Sequence, residues 1–127
     1  MKAEELRIGN LVMSHGTIDT IVGVDDTTYG SAIVSLEKYG NGETEIEPIP
    51  LTEEWLLNFG FDNDEISYHK RVELLVGDIV SMFLFKTYKG YGLSISTLDN
   101  QIGYFEYVHQ LQNLYFALTG IELTLTK

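Results

Sequence analysis

Cysteine is missing from all 127 residues, which removes disulfides, thiolate zinc sites, thiol catalysis and cysteine-held iron–sulfur clusters together. Long apolar runs are missing too. No stretch nears the roughly eighteen apolar residues of a membrane span, and the first residues include Glu4 and Glu5 where a secretory signal would be apolar. The expectation is a soluble, cytoplasmic chain with no membrane association. Positive charge is the third shortage: eight lysines and arginines face nineteen acids, for a formal charge of −11. That field repels nucleic-acid backbones, so direct nucleic-acid binding is not expected, and it attracts basic protein surfaces.

The imbalance is local. Residues 1–38 hold six acids and three bases, residues 39–69 eight acids and no lysine or arginine, and the remainder five of each. Glu43, Glu45, Glu47, Asp62, Asp64 and Glu65 belong to this acidic pole and are candidate contacts for a partner with a basic surface. The plain alternative is a solvated face that only keeps the protein dispersed. The length fits a single domain, 1–127, with a division into a strand part, 1–42, and a helix-strand-helix part, 43–127, as the other arrangement.

Two stretches read as helices. Val108, Leu111, Leu114, Tyr115 and Leu118 recur at three- and four-residue spacing, so they share one face of a helix over 107–120 that Gly120 can close. His109, Gln112 and Asn113 fall off that stripe, on a polar face that is a candidate functional surface. Phe116 also lies off the stripe and needs a second surface, for which Trp55 and Phe59 are the obvious candidates. Those two belong to a shorter helix of about two turns, capped by Thr52, with Glu53 and Glu54 at its positive end and Gly60 at its stop.

Strands are expected over 6–13, 17–24 and 29–36, around turns at Ser14–Gly16 and at 38–42. In the second, Ile18, Val22 and Val24 share one parity and Ile21 the other. Residues 43–50, acidic and limited by Pro48 and Pro50, read as a surface connector. Ile79–Phe85 is the most apolar strand and belongs inside a sheet. Tyr91, Leu93, Ile95 and Thr97 alternate cleanly before a hairpin at 98–101, and 121–126 either adds a strand or lies along an edge. The fold class is α+β, an antiparallel sheet or an SH3-like small barrel with the short middle helix and the longer C-terminal helix packed on it. The opening Leu6-Arg7-Ile8-Gly9-Asn10-Leu11-Val12 and its glycine turns resemble the start of an SH3-like barrel, a likeness that implies no function.

Two phrases, Pro48 through Phe61 and Tyr107 through Gly120, resemble a group of small proteins encoded by Bacteroidetes-type bacteria and their phages and prophages. The resemblance implies a phage-linked setting and brings no activity, cofactor or site residue with it.

Chemistry is thin. His15, His69 and His109 sit in separate elements without metal-ligand spacing, the acidic turns lack the pattern of a calcium loop, and no nucleophile motif is present. No cofactor, metal or catalytic residue is expected. The eight tyrosines are more informative, because tyrosine suits interfaces. Tyr88 and Tyr91, flanking the bend at 86–90, are the best exposed candidates. The expected function is a non-enzymatic protein-interaction module of phage or prophage origin, in one version an acidic inhibitor masking a basic surface of its partner. The alternatives are an assembly protein acting through self-association, and a small hydrolase using His109 or His69 beside a carboxylate.

Overall fold

The computed structural model describes residues 5–26, 32–43, 46–63, 67–88, 90–95 and 103–125. It is an α+β structure of antiparallel strands with one short and one longer C-terminal helix, as the sequence predicts. The chain divides into two compact units, residues 1–49 with 107–113 and residues 50–106 with 114–127.

In the first unit, β1 (Leu11–Ser14), β2 (Thr17–Asp26), β3 (Ala32–Leu36), β4 (Gly40–Glu43) and β5 (Ile46–Glu47) form a sheet in the order β4-β3-β2-β1-β5. A two-residue turn joins β1 to β2, with φ of 51° at His15 and 78° at Gly16. Two positive φ values in succession match the right-handed twist of the flanking strands. Leu6, Val12, Ile21, Val34, Leu36 and Ile46 form the core, and Val24 packs against it.

The parity expected in β2 is corrected. Ile18 and Val22 point outward, 39% and 48% exposed, while Ile21 is fully buried. The register against β3 shifts between Ile21 and Gly23. This bulge sets two residues against one, so the inward set changes from odd positions to even ones and Val24 regains the core. Two further corrections concern loops. Gly40–Glu43, expected as the end of a turn at 38–42 and the first residue of the connector, pairs with β3 as β4; Gly40 takes a φ of 110° and lets the chain fold back. Within the expected surface connector, Ile46–Glu47 pairs with β1, and Ile46 and Ile49 are buried. The free edge of β1 and the core gap under it outweigh the local polarity.

In the second unit, α1 (Glu53–Asn58) precedes β6 (Asp62–Asn63), β7 (Tyr68–Glu73), β8 (Ile79–Thr87), β9 (Gly90–Ile95) and β10 (Gly103–Phe105), in the sheet order β10-β9-β8-β7-β6. Thr52 caps α1 by accepting the Trp55 N–H. At the other end Phe61 N–H donates to the Leu56 carbonyl and Gly60 N–H to that of Leu57, with Gly60 at φ 91°. This paired closure buries Leu56 and Phe61 next to each other and satisfies two terminal carbonyls. β8 is central as expected, and Val80, Met82 and Leu84 form its buried face beside Val72 and Leu93.

The second helix, α2 (Val108–Thr119), supplies residues to both units. Trp55 and Phe59 pack on each other with ring centroids 5.7 Å apart. Phe116 keeps 39% of its surface, so whatever second surface it meets covers it only in part. Past Gly120, residues 121–125 form no strand and are anchored by buried Leu123. The expected hairpin at 98–101 lies outside the described residues, as does the start of the third expected strand, whereas the first strand is corrected: it begins at Leu11 and not at Leu6, because Ile8 and Gly9 form a turn closed by the Asn10 N–H donating to the Arg7 carbonyl.

Candidate functional site

The polar face of α2, expected to be open, is closed within the first unit. Gln112 is 1% exposed and His109 3%. Gln112 Oε1 accepts the Leu11 N–H at 2.9 Å and its Nε2 donates to the Gly9 carbonyl at 3.3 Å. One side-chain amide thus grips the edge of β1 and the residues before it as a neighbouring strand's peptide group would. It does so just where β5, which covers only Met13 and Ser14, stops. Asn113 continues the clamp: its Oδ1 accepts from Asn10 Nδ2 at 2.7 Å and Arg7 Nε at 3.1 Å, and its Nδ2 donates to the Glu5 carbonyl at 3.0 Å. The helix start is secured by the Val108 N–H donating to the Ile49 carbonyl and by Gln110 Oε1 accepting the Tyr107 N–H. His109 stacks on Tyr107, and its Nδ1 is buried without a hydrogen-bond partner. Burial pushes the imidazole pKa down, and the negative charge of Glu5 offsets this in part. The polarity of Gln112 and Asn113 therefore serves internal docking.

A second polar device holds the hairpin end of the same unit. Asp19, 3% exposed, accepts from the backbone N–H groups of Thr20 at 2.8 Å, Lys38 at 3.0 Å and Tyr39 at 3.0 Å. Burial alone would raise its carboxyl pKa, but those three bonds and the nearby Lys38 charge outweigh it and hold the group below its ordinary value. The fixed turn lays the Tyr39 ring flat on His15, with centroids 3.8 Å apart and planes 6° from parallel. Beside that stack opens a cleft of about 450 Å³ lined by Met13, His15, Gly16, Ile46 and Glu47. Met13 and Glu47 are direct cross-strand partners, so their side chains project from the same face.

One exposed feature of the second unit is apolar. At the β7–β8 turn Leu75 and Val76 are 70% and 80% exposed, and Ile79 at the start of β8 is 63% exposed. The Leu75 N–H donates to the Leu118 carbonyl, which sets this turn beside the end of α2, where Ile121 is 61% exposed. Leu75 lies across Gly120: its Cδ2 is 2.7 Å from where a Cβ would stand. These aliphatic side chains form a cap with exposed Glu73 and Asp78 on the same hairpin.

The chain matches no protein-family model, no curated protein and no solved structure.

The other sequence candidates are scattered. Tyr88 is 94% exposed on its turn, whereas Tyr91 is 4% exposed, a correction to the expected pair. Tyr91 shares the inward face of β9 with Leu93, its ring meeting Tyr68 edge-on at 6.1 Å, and burial raises its pKa. Tyr68 bonds Glu53 and is raised by burial first and by that carboxylate second. Glu43 lies on β4 and exposed Glu47 on β5; exposed Asp62, on β6, faces His69 across the strands with Nε2 to Oδ2 at 3.9 Å. Glu45, Asp64 and Glu65 lie outside the described residues. Among the described residues no three histidines or acids gather as a metal site would require, and no helix is long and apolar enough to cross a membrane. The aliphatic cap and the cleft were missed by sequence reasoning. Leu75-Val76 ahead of Gly77-Asp78 was the available signal for the cap: an apolar pair running into a turn.

Proposed function

We propose that the protein is a non-enzymatic interaction module that binds a partner protein through the aliphatic cap of the second unit, with its acidic surface meeting basic residues of that partner. The observation that carries this reading is the cap itself. Leu75, Val76, Ile79 and Ile121 each keep more than 60% of their surface, although the neighbouring Val72 and Val80 are buried. Covering such side chains contributes about 1–2 kcal/mol apiece, enough for a few of them to dominate a binding site. The net charge of −11 favours a basic partner and opposes pairing with a second copy of the same chain. The two phrases at 48–61 and 107–120 support a phage or prophage origin, and with it action in the bacterial cytoplasm as a mask over a partner's basic surface.

The test is capture from a bacterial host lysate with tagged wild type and with Val76→Asp and Ile79→Asp, followed by salt titration of the captured complex. The expected result is a specific partner whose affinity falls at least about tenfold in either variant, a loss of roughly 1.4 kcal/mol, and which is released as ionic strength rises. Retention by both variants, or binding indifferent to salt, would sink the proposal. A wild-type chain that forms stable oligomers through the cap would replace it with the self-association reading.

A further inference from the structure

The cleft beside the His15–Tyr39 stack has the composition of a receptor for one particular kind of side chain. One wall is the thioether of Met13, the β5 strand passes beside it at Ile46, whose side chain belongs to the core, and His15 with Gly16 closes the hairpin end. The single carboxylate lining it is Glu47, whose side chain is exposed and takes part in no hydrogen bond or ion pair recorded among the described residues. Because Met13 and Glu47 are opposed in register, their Cβ atoms stand about 5 Å apart on adjacent strands. An apolar stem lying along Met13 would therefore bring its tip to the carboxylate. Methionine is unbranched and polarizable, so it can follow an alkyl stem of varied shape.

The frame around this pair is fixed. Asp19 ties down the turn that carries Tyr39, Tyr39 covers one face of the His15 imidazole, and the positive φ values of His15 and Gly16 hold the hairpin tip. A wall immobilised in this way costs little to order when a ligand arrives. In sequence, Glu43 and Glu45 accompany Glu47 within five residues that contain no lysine or arginine.

We infer that the cleft formed by Met13, His15, Gly16, Ile46 and Glu47 binds a side chain with an apolar stem and a cationic head, that of lysine or arginine, presented by the protein partner. The inference rests on the interaction reading and names what one site of that module takes. A neutral side chain of the same length would gain the apolar contacts and leave Glu47 without a counter-charge. An acidic one would meet a like charge.

The experiment is a titration of methyl-labelled protein at low salt with the blocked amino-acid amides of arginine and lysine. The citrulline and norleucine amides serve as neutral controls, and the Met13 methyl resonance is followed. The expected result is a saturable shift at the Met13 methyl with one or both cationic probes and none comparable with the neutral ones. Glu47→Gln should weaken cation binding about two- to fivefold, as for an ion pair partly open to water, while the remaining methyl spectrum stays unchanged. Equal shifts from the neutral probes, an unaltered affinity in Glu47→Gln, or no shift at Met13 overturns the inference. Capture of a partner through the cap together with a silent cleft removes this inference alone. Cation binding in the cleft together with full retention of partner by the cap variants removes the cap reading alone.

Discussion

Replacing Asp19 by asparagine tests the reasoning on the first unit most directly, because it preserves shape and removes only charge and one acceptor. The carboxylate accepts the Thr20 and Lys38 N–H groups at Oδ1, and the Tyr39 N–H at Oδ2, which also lies 3.3 Å from the Lys38 N–H. In asparagine the oxygen can keep Thr20 and Lys38, but the amide nitrogen then presents donors to the Tyr39 N–H. A hydrogen bond to a charged group contributes about 1.5–3 kcal/mol, and the displaced donor has water within reach at the exposed Tyr39 turn. The expected loss is therefore about 2–3 kcal/mol. Urea denaturation followed by far-ultraviolet circular dichroism measures it, and amide exchange at Tyr39 should accelerate first.

The pH dependence supplies a second reading of the same substitution. The Asp19 carboxyl is held below its ordinary 3.8, so between the folded and unfolded values the unfolded chain binds more protons and stability rises with pH. The advantage of wild type over Asp19→Asn should be constant above the ordinary value and shrink as pH falls through the lower, folded one. A variant within about 0.5 kcal/mol of wild type, as surface substitutions usually are, would refute the argument. So would an advantage that does not change as the medium is acidified.

Gln112→Leu should cost about 2–4 kcal/mol although leucine is apolar and similar in size, because the Leu11 N–H and Gly9 carbonyl lose their partner beneath a closed helix face; urea denaturation checks this. His109 adds an acid-labile contribution. Its pKa is depressed in the fold, so its stabilising effect is complete above the ordinary 6.5 and declines as pH falls toward the lower folded value. His109→Phe should flatten that part of the stability profile, and an unchanged slope counts against it. Gly90→Ala should destabilise by about 2 kcal/mol or more, since Gly90 has a φ of 117° and an added Cβ would stand 2.7 Å from the Phe105 carbonyl oxygen; thermal melting of the variant is the check.

What could be read from the sequence was what short-range chemistry dictates. Thr52, the paired glutamates and Gly60 mark α1 because cap, dipole and stop all act within a turn of the residues that cause them. The spacing from Val108 to Leu118 locates α2 for the same reason. β2 defeated a parity reading because its bulge depends on β3, and nothing within the strand announces that two of its residues will oppose one. β4 and β5 were hidden by composition: Gly-Asn-Gly has poor strand propensity, and Ile46 lies between glutamates, yet each segment is recruited by an edge already formed. Tyr91 shows the opposite failure. Its shared parity with Leu93 was visible and pointed inward, but its place beside a polar bend was given more weight.

The polar residues of α2 show why a helical wheel cannot settle function by itself. Gln112 and Asn113 are off the apolar stripe, and polarity off the stripe ordinarily means water. Here their partners are backbone groups of Glu5, Gly9 and Leu11 and the side chains of Arg7 and Asn10, about a hundred positions away in sequence. An aliphatic stripe tolerates a shift along its groove at modest cost, because methyl groups find methyl groups in several registers. The Gln112 amide, with one acceptor for the Leu11 N–H and one donor for the Gly9 carbonyl, is satisfied in only one. Asn113, shared by Arg7, Asn10 and the Glu5 carbonyl, is more restrictive still. The first half of α2 is therefore positioned by hydrogen-bond identity and buried by Val108 and Leu111, which are fully enclosed. Placement and burial are separate tasks, given to different faces of one helix. Gln112→Leu separates them, since it keeps burial and abolishes the amide's register. If register comes from the amide, that variant should stay helical while the amide resonances of residues 9–11 broaden or split. If the apolar stripe sets it unaided, those resonances remain single and sharp.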